Sequence, residues 1–413
     1  NAIVNPDAWW EERRVNAYVA LRKNNPKLAY KIARDAGELS VNPRKEQAFV
    51  AGWLALRFLG DKQAALSHFT VMYKSADGPL SRSKAGYWMG RVYDALGDDA
   101  AARKYYEQSA LQVDTFHGQL SRQLLAGGKP MTVKIAPPQA PTTDQVAAFR
   151  NEDAAQAAVI ANTAKLGRNI TRPFLANLAN TLETEAEVAL VAHLTRKMDD
   201  TQQSLRIGKR AVGRGMNMLY YAYPLHAFPD YKPLRKPPET AFLLGIARQE
   251  SEFNTQIVSG AGARGILQVM KVTAKHVCRD YRIKCRYSKL LTDEAYNTKI
   301  ASAYIADRMG EFGGSYILGM SGYNAGPGRT RQWIRQFGDP RDANMDPIDW
   351  IERIPFTETR KYVQKVLSNV QVYRARLGEE RSLRLLQDLR RAKTGNTRNA
   401  RLFAPGGRVA RAQ

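Results

Sequence analysis

One carboxylate occupies a position that suits proton-transfer chemistry. In the stretch AFLLGIARQESEFN (241–254), Leu243, Ile246, Ala247 and Glu250 fall at i, i+3, i+4 and i+7. On a helix this places three apolar residues and one carboxyl on a single face. A carboxyl there loses hydration when it ionises, so its pKa is expected to rise, as a general acid near neutral pH requires. Glu252 lies at about 200° from Glu250 on the same wheel and is expected to face water. The wheel alone does not separate this reading from a structural ion pair.

Three further stretches carry residues suited to holding a sugar. SGAGARGILQVM (259–270) places glycines and small residues ahead of Gln268, as in a tight turn or short hairpin whose backbone approaches a ligand closely. The Gln268 amide can both donate to and accept from hydroxyl or N-acetyl groups. MSGYNAGPGRTRQW (320–333) sets Tyr323 and Asn324 among Gly322, Gly326 and Gly328, which reads as a Gly-rich loop broken by Pro327. DWIERIPFTETRKYVQKVL (349–367) brings Glu352, Glu358 and Arg360 around Ile354-Pro355, with Thr357 placed to cap the next helix. Taken singly, each of the two Gly-rich stretches also reads as an ordinary turn.

Together these residues resemble the catalytic domain of the soluble lytic murein transglycosylases, in the goose-type branch of the lysozyme-like fold. The resemblance rests on Glu250-Ser251, Gly265-Ile266-Leu267-Gln268, Gly322-Tyr323-Asn324-Ala325-Gly326 and Ile354-Pro355-Phe356 followed by Glu358-Thr359-Arg360-Lys361-Tyr362-Val363. It covers about residues 223–377 firmly and the helical first half more loosely. It implies Glu250 as the single catalytic acid and base. Ser259, Gln268 and Met270 would line the groove near the N-acetyl group of the muramic acid. Tyr323 and Asn324 would lie beside the scissile sugar, and Glu352 would meet the peptide side of the substrate. The chain departs from the family pattern at Ile266-Leu267, Gly322 and Lys271, which bears on subsite detail rather than on the chemistry.

The elements that position these residues are helical. FLGDKQAALSHF (58–69) and ALGDDAAARKYY (95–106) align at a spacing of 37 residues, and 24–37 is a degenerate earlier copy. Such helix pairs stack because one pair cannot bury its apolar face alone. Pro-rich breaks at 127–145 and 223–239 bound a second helical run. The expected fold is mainly α: an N-terminal α-superhelix of TPR-like repeats, then a lysozyme-like α+β catalytic domain. The expected divisions are 1–135 (superhelical repeats), 136–222 (helices completing the superhelix), 223–378 (catalytic domain) and 379–413 (basic tail). EERSLRLLQDLRRA within the tail is read as a helical continuation.

Composition narrows the partner. The chain of 413 residues carries a net charge of +24, which favours an anionic polymer. Peptidoglycan glycan strands, with lactyl and peptide carboxylates, fit that balance, and other cell-wall proteins are further partners. Nucleic-acid binding would rest on charge alone, without a motif, and is set aside. No apolar run reaches the roughly 18 residues of a membrane helix. The resemblance implies a soluble, monomeric periplasmic protein whose signal peptide has been removed, with no cofactor or metal. Cys278 and Cys285 do not have zinc-ligand or redox spacing. Two free thiols and a local disulfide both remain open from spacing; the envelope location favours the disulfide.

The expected reaction is non-hydrolytic cleavage of the MurNAc–GlcNAc β-1,4 bond, leaving a 1,6-anhydromuramyl end. A hydrolytic muramidase on the same fold, and a non-enzymatic repeat scaffold that binds glycan or protein, are the alternatives.

Overall fold

A computed structural model describes residues 5–391, and the basic tail from 392 lies outside them. The described chain divides into two compact units. One comprises 5–131, 308–368 and 383–391, and the other 132–307 and 369–382.

The first unit is built of helices, each packed on its neighbour in sequence: Pro6–Arg22, Pro26–Arg34, Val41–Leu54, Lys62–Lys74, Pro79–Leu96, Asp99–Ala110 and Phe116–Leu125. The sequence repeat has a matching local geometry. Gly60 and Gly97 both end a helix in the left-handed region, at φ +69° and +82°. Asp61 and Asp98 then cap the next helix by accepting from the Ala64 and Ala101 amides, both at 2.9 Å. Gly52 and Gly90 make room for the rings of Phe69 and Tyr106; a Cβ on Gly52 would stand 2.6 Å from the Phe69 ring, and one on Gly90 would overlap Tyr106.

The two copies are not equal in length. Gly60 follows Gly52 by eight positions, whereas Gly97 follows Gly90 by seven. The extra residue is absorbed where the helix widens into a π turn over Ala55–Leu59. That turn keeps the glycine and the aromatic ring in register despite the insertion.

Residues 308–368 complete this unit. Asp349 accepts from Trp53 Nε1 at 2.9 Å and pairs with Arg57 at 2.7 Å, and Asp346 pairs with Arg91 at 3.0 Å. Burial and the neighbouring Asp346 push the Asp349 carboxyl up. Burial also opposes ionisation of Asp346, but Arg91 and Arg57 more than offset it and hold that carboxyl down.

In the second unit, helices Asp153–Thr163, Arg168–Thr181, Glu185–Lys197 and Thr201–Gly213 close over a core that includes Leu175, Leu178, Val188, Val191 and Ile207. Helices Thr240–Glu250 and Lys271–Asp280 follow. The mainly helical expectation is borne out. Its β component reduces, among the described residues, to isolated bridges, including Val258 with Arg264 and Arg264 with Val269. The Pro-rich stretch 223–239 is free of helix, as expected, whereas the break expected over 127–145 ends earlier, because the helix Thr143–Asn151, capped by Thr142, begins inside it. The helical continuation expected after 379 is one five-residue helix, Leu385–Leu389. No helix of the described residues is long and apolar enough to cross a membrane.

Candidate active site

The helix Thr240–Glu250 buries Ala241 through Ala247 and leaves Glu250 half-buried as its last residue. Its start is fixed by Glu239, which forms a two-pronged pair with the buried Arg374 (3.1 and 2.6 Å). Its end is fixed by Ser251. That hydroxyl donates to the Ile266 carbonyl at 2.7 Å, and the Ser251 carbonyl accepts from Gln202 Nε2 at 3.1 Å. The Glu-Ser pair therefore combines a carboxyl at the helix end with a hydroxyl that ties that end to the next turn.

Glu252 departs from the wheel reading. The helix stops at Glu250, and Glu252 and Phe253 both take left-handed conformations, at φ +52° and +64°. Instead of facing water, Glu252 lies in ion pairs with Arg206 (2.7 Å) and Lys209. Burial raises its carboxyl, but the hydrogen bonds from Lys209 and Arg206 outweigh it, and the pKa lies below its ordinary 4.5.

The turn that follows is closely braced. Gly265, at φ +70°, leaves no space for a Cβ, which would meet Leu290 O and stand 2.5 Å from Asn297 Nδ2. Gln268 is itself left-handed, at φ +48°. Its side-chain N–H donates to Gly265 O at 2.9 Å, so the amide nitrogen braces the turn and the amide oxygen remains as the acceptor to offer a ligand. The Ser259 hydroxyl accepts from the Ala263 amide at 3.0 Å. Met270 is half-buried and sits just before the helix Lys271–Asp280. Glu250, Ser259, Gln268 and Met270 all belong to the second unit.

Two groups behind this turn escaped the sequence reading. Asn297, 1% exposed, accepts from the Leu267 amide and donates to Arg264 O (2.8 Å) and Leu290 O (2.9 Å). An asparagine inside a helix is a poor helix former, and that was the available signal. Asp200 takes Arg172 in a two-pronged pair (2.6 and 2.8 Å) and caps Thr201–Gly213, the helix that presents Gln202 to Ser251. Burial opposes ionisation of Asp200, but Arg172 prevails and holds its pKa down.

In the first unit, Tyr323 and Asn324 are not in a loop. They end the helix Tyr316–Asn324, half-buried, and Asn324 Oδ1 accepts from Thr359 Oγ1 at 2.6 Å. Gly322 serves packing, since a Cβ there would stand 2.8 Å from the Phe312 ring. Pro327 starts the next helix, Pro327–Phe337, where its missing N–H costs nothing. Glu352 is fully buried: it is 3.3 Å from Lys84, 3.7 Å from Arg360, and accepts from Gln364 at 2.8 Å. The structure joins Cys278 to Cys285, with Cα atoms 5.5 Å apart, beside the helix that follows the Gln268 turn.

Comparison with known proteins gives these positions a context. Residues 232–345 match the transglycosylase SLT domain family, and residues 353–381 match the soluble lytic transglycosylase helical domain. A soluble lytic murein transglycosylase of Escherichia coli K12 is 30% identical over 224 residues, which is 50% of this chain and 33% of that protein. A second, from Salmonella typhimurium, is 28% identical over 305 residues, covering 72% of this chain and 44% of that one. The chain thus spans between a third and a half of these relatives' length. Among solved structures, an inactive variant of the lytic transglycosylase Slt from Pseudomonas aeruginosa superposes with a TM-score of 0.68 at 24% identity, covering 92% of this chain and 59% of that one. A soluble lytic transglycosylase in complex with bulgecin A gives 0.60 at 22% identity, over 92% of this chain and 67% of that one. At these identities the structural likeness speaks for the fold.

Proposed function

We propose, from a chain that carries a transglycosylase SLT domain as its motifs implied, that the protein cleaves the MurNAc–GlcNAc β-1,4 bond of peptidoglycan without water. The observation that carries this reading is Glu250, half-buried at the end of an apolar helix and followed by a serine bound to the turn that holds Gln268. Loss of hydration favours the neutral acid, which protonates the glycosidic oxygen. The carboxylate so formed takes the proton from the C6 hydroxyl of the muramic acid as that oxygen closes on C1. The nucleophile belongs to the substrate, so one catalytic carboxyl suffices.

Three further acids of the region are already committed to other partners. Glu252 is held by Arg206 and Lys209, Asp349 by Trp53 and Arg57, and Glu352 by Lys84 and Gln364. Ser259, Gln268 and Met270 are assigned to the N-acetyl side of the sugar, and Tyr323 and Asn324 to the sugar itself. Residues 223–378 are taken as the catalytic region, and the protein as a monomer of the cell envelope whose anionic substrate suits a charge of +24. Mass spectrometry of digested sacculi tests the reaction: anhydro ends support it, and reducing ends transfer the chain to the hydrolytic class.

A further inference from the structure

The second unit holds a cavity of about 640 Å³ between the turn at 261–270, the helix Lys271–Asp280 and residues 287–290. Three cations line it, Arg264, Lys271 and Lys275, and no carboxylate does. None of the three forms an ion pair or a side-chain hydrogen bond with a described residue. The proposed reaction uses none of them.

All three are carried on fixed backbone. Arg264 exchanges both of its backbone hydrogen bonds with Val269 (3.1 and 3.0 Å), and its carbonyl accepts from the buried Asn297 at 2.8 Å. Lys271 and Lys275 stand one turn apart on a helix and share a face, where like charges repel. Lys271 Nζ lies 5.3 Å from the centre of the Tyr287 ring. The Cys278–Cys285 disulfide ties the helix of the two lysines to the segment that carries Tyr287. Like charges fixed around one cavity favour an anion between them.

The number of cations indicates which anion. Three exceed the single charge of a carboxylate. They match a phosphate monoester, which carries about −1.5 to −2 at neutral pH and offers three acceptor oxygens. A guanidinium fork beside two ammonium groups suits those oxygens. Met270, Tyr287 and Leu290 add an apolar wall next to the charges, as a pocket for a small organic ligand requires.

We propose that this cavity binds a phosphorylated sugar, with its phosphate on Arg264, Lys271 and Lys275 and its ring against Tyr287 and Met270. Lys271 is a position at which the chain departs from the family pattern, so the site does not follow from the motifs. The inference does not depend on the lytic reading, and binding alone tests it.

The probe is N-acetylglucosamine 6-phosphate, titrated calorimetrically into the full chain. Saturable one-site binding is expected. N-acetylglucosamine and acetate should each bind about tenfold more weakly or worse. Lys271→Gln and Lys275→Gln, both at exposed positions, should each weaken the phosphosugar several-fold with an unchanged melting temperature. Lys284→Gln, exposed on the same basic segment but outside the cavity, should leave its affinity unchanged. No saturable binding up to about 10 mM would overturn the proposal. Equal binding of acetate, or wild-type affinity in both cavity variants, would overturn it too. Equal weakening by Lys284→Gln would reduce the effect to diffuse surface charge and overturn the site. Binding to phosphatidylglycerol vesicles without binding of the phosphosugar would assign the phosphate to a lipid headgroup and contradict the ligand proposed.

Discussion

At the scale of single residues, two glutamates two positions apart have opposite expected consequences. Glu250→Gln should remove essentially all turnover while glycan binding persists, as measured by sacculus release and by pull-down on intact sacculi. Glu252→Gln should leave turnover nearly intact and cost about 1 kcal/mol of stability, read by denaturant melting, because its partners Arg206 and Lys209 hold it as an ion pair. Its folded pKa lies below the ordinary 4.5, so its contribution is present above that pH and is lost as pH falls through the lower folded value. The difference in stability between the parent and Glu252→Gln should therefore shrink on acidification. A difference that grows in acid would mean the carboxyl is not held as its anion. The wheel separated these two residues for a reason that proved incomplete. It assumed one helix through both, whereas the backbone turns left-handed at Glu252.

At the scale of elements, the turn at 265–268 is where local geometry bears most on the site. Gly265 combines φ +70° with no space for a Cβ, so Gly265→Ala should cost roughly 2 kcal/mol or more and lower turnover with it. Asn297→Ala, which removes three hydrogen bonds, two of them buried, should cost about 2–4 kcal/mol. Its effect on turnover should exceed that of a surface change of equal length. The glycine was legible in the sequence because a Gly-rich run before Gln268 demands an unusual backbone. Asn297 was not, since its partners are carbonyls and an amide more than five residues away that only the fold assembles. Tyr323 and Asn324 were legible as a pair but not as a helix end. Gly322 lowers helix propensity by about 1 kcal/mol, yet packing on Phe312 keeps it helical.

At the scale of the whole molecule, the repeat was legible because its caps recur at a fixed spacing, Leu-Gly-Asp before each helix. The π turn that absorbs the extra residue was not, because hydrophobic periodicity does not register one added residue. The division into units was also hidden. Residues 308–368 belong with the first helices because Asp346, Asp349 and Glu352 find Arg91, Arg57, Trp53 and Lys84 there. A fragment starting at Tyr223 would part Asp346 and Asp349 from Arg91, Arg57 and Trp53, and Glu352 from Lys84, at about 3–5 kcal/mol for each broken buried pair. It should lack the cooperative melting transition of the full chain; a fragment that melts at the parent temperature would contradict the assignment of 308–368 to that unit. The most direct test of the central claim is the product of exhaustive sacculus digestion, identified by mass spectrometry for the parent and for Glu250→Gln. The parent should yield 1,6-anhydromuramyl ends with no water incorporated from isotopically labelled solvent, and Glu250→Gln should yield none. Labelled reducing ends from the parent, or substantial anhydro product from Glu250→Gln, would contradict a single-carboxyl transglycosylase.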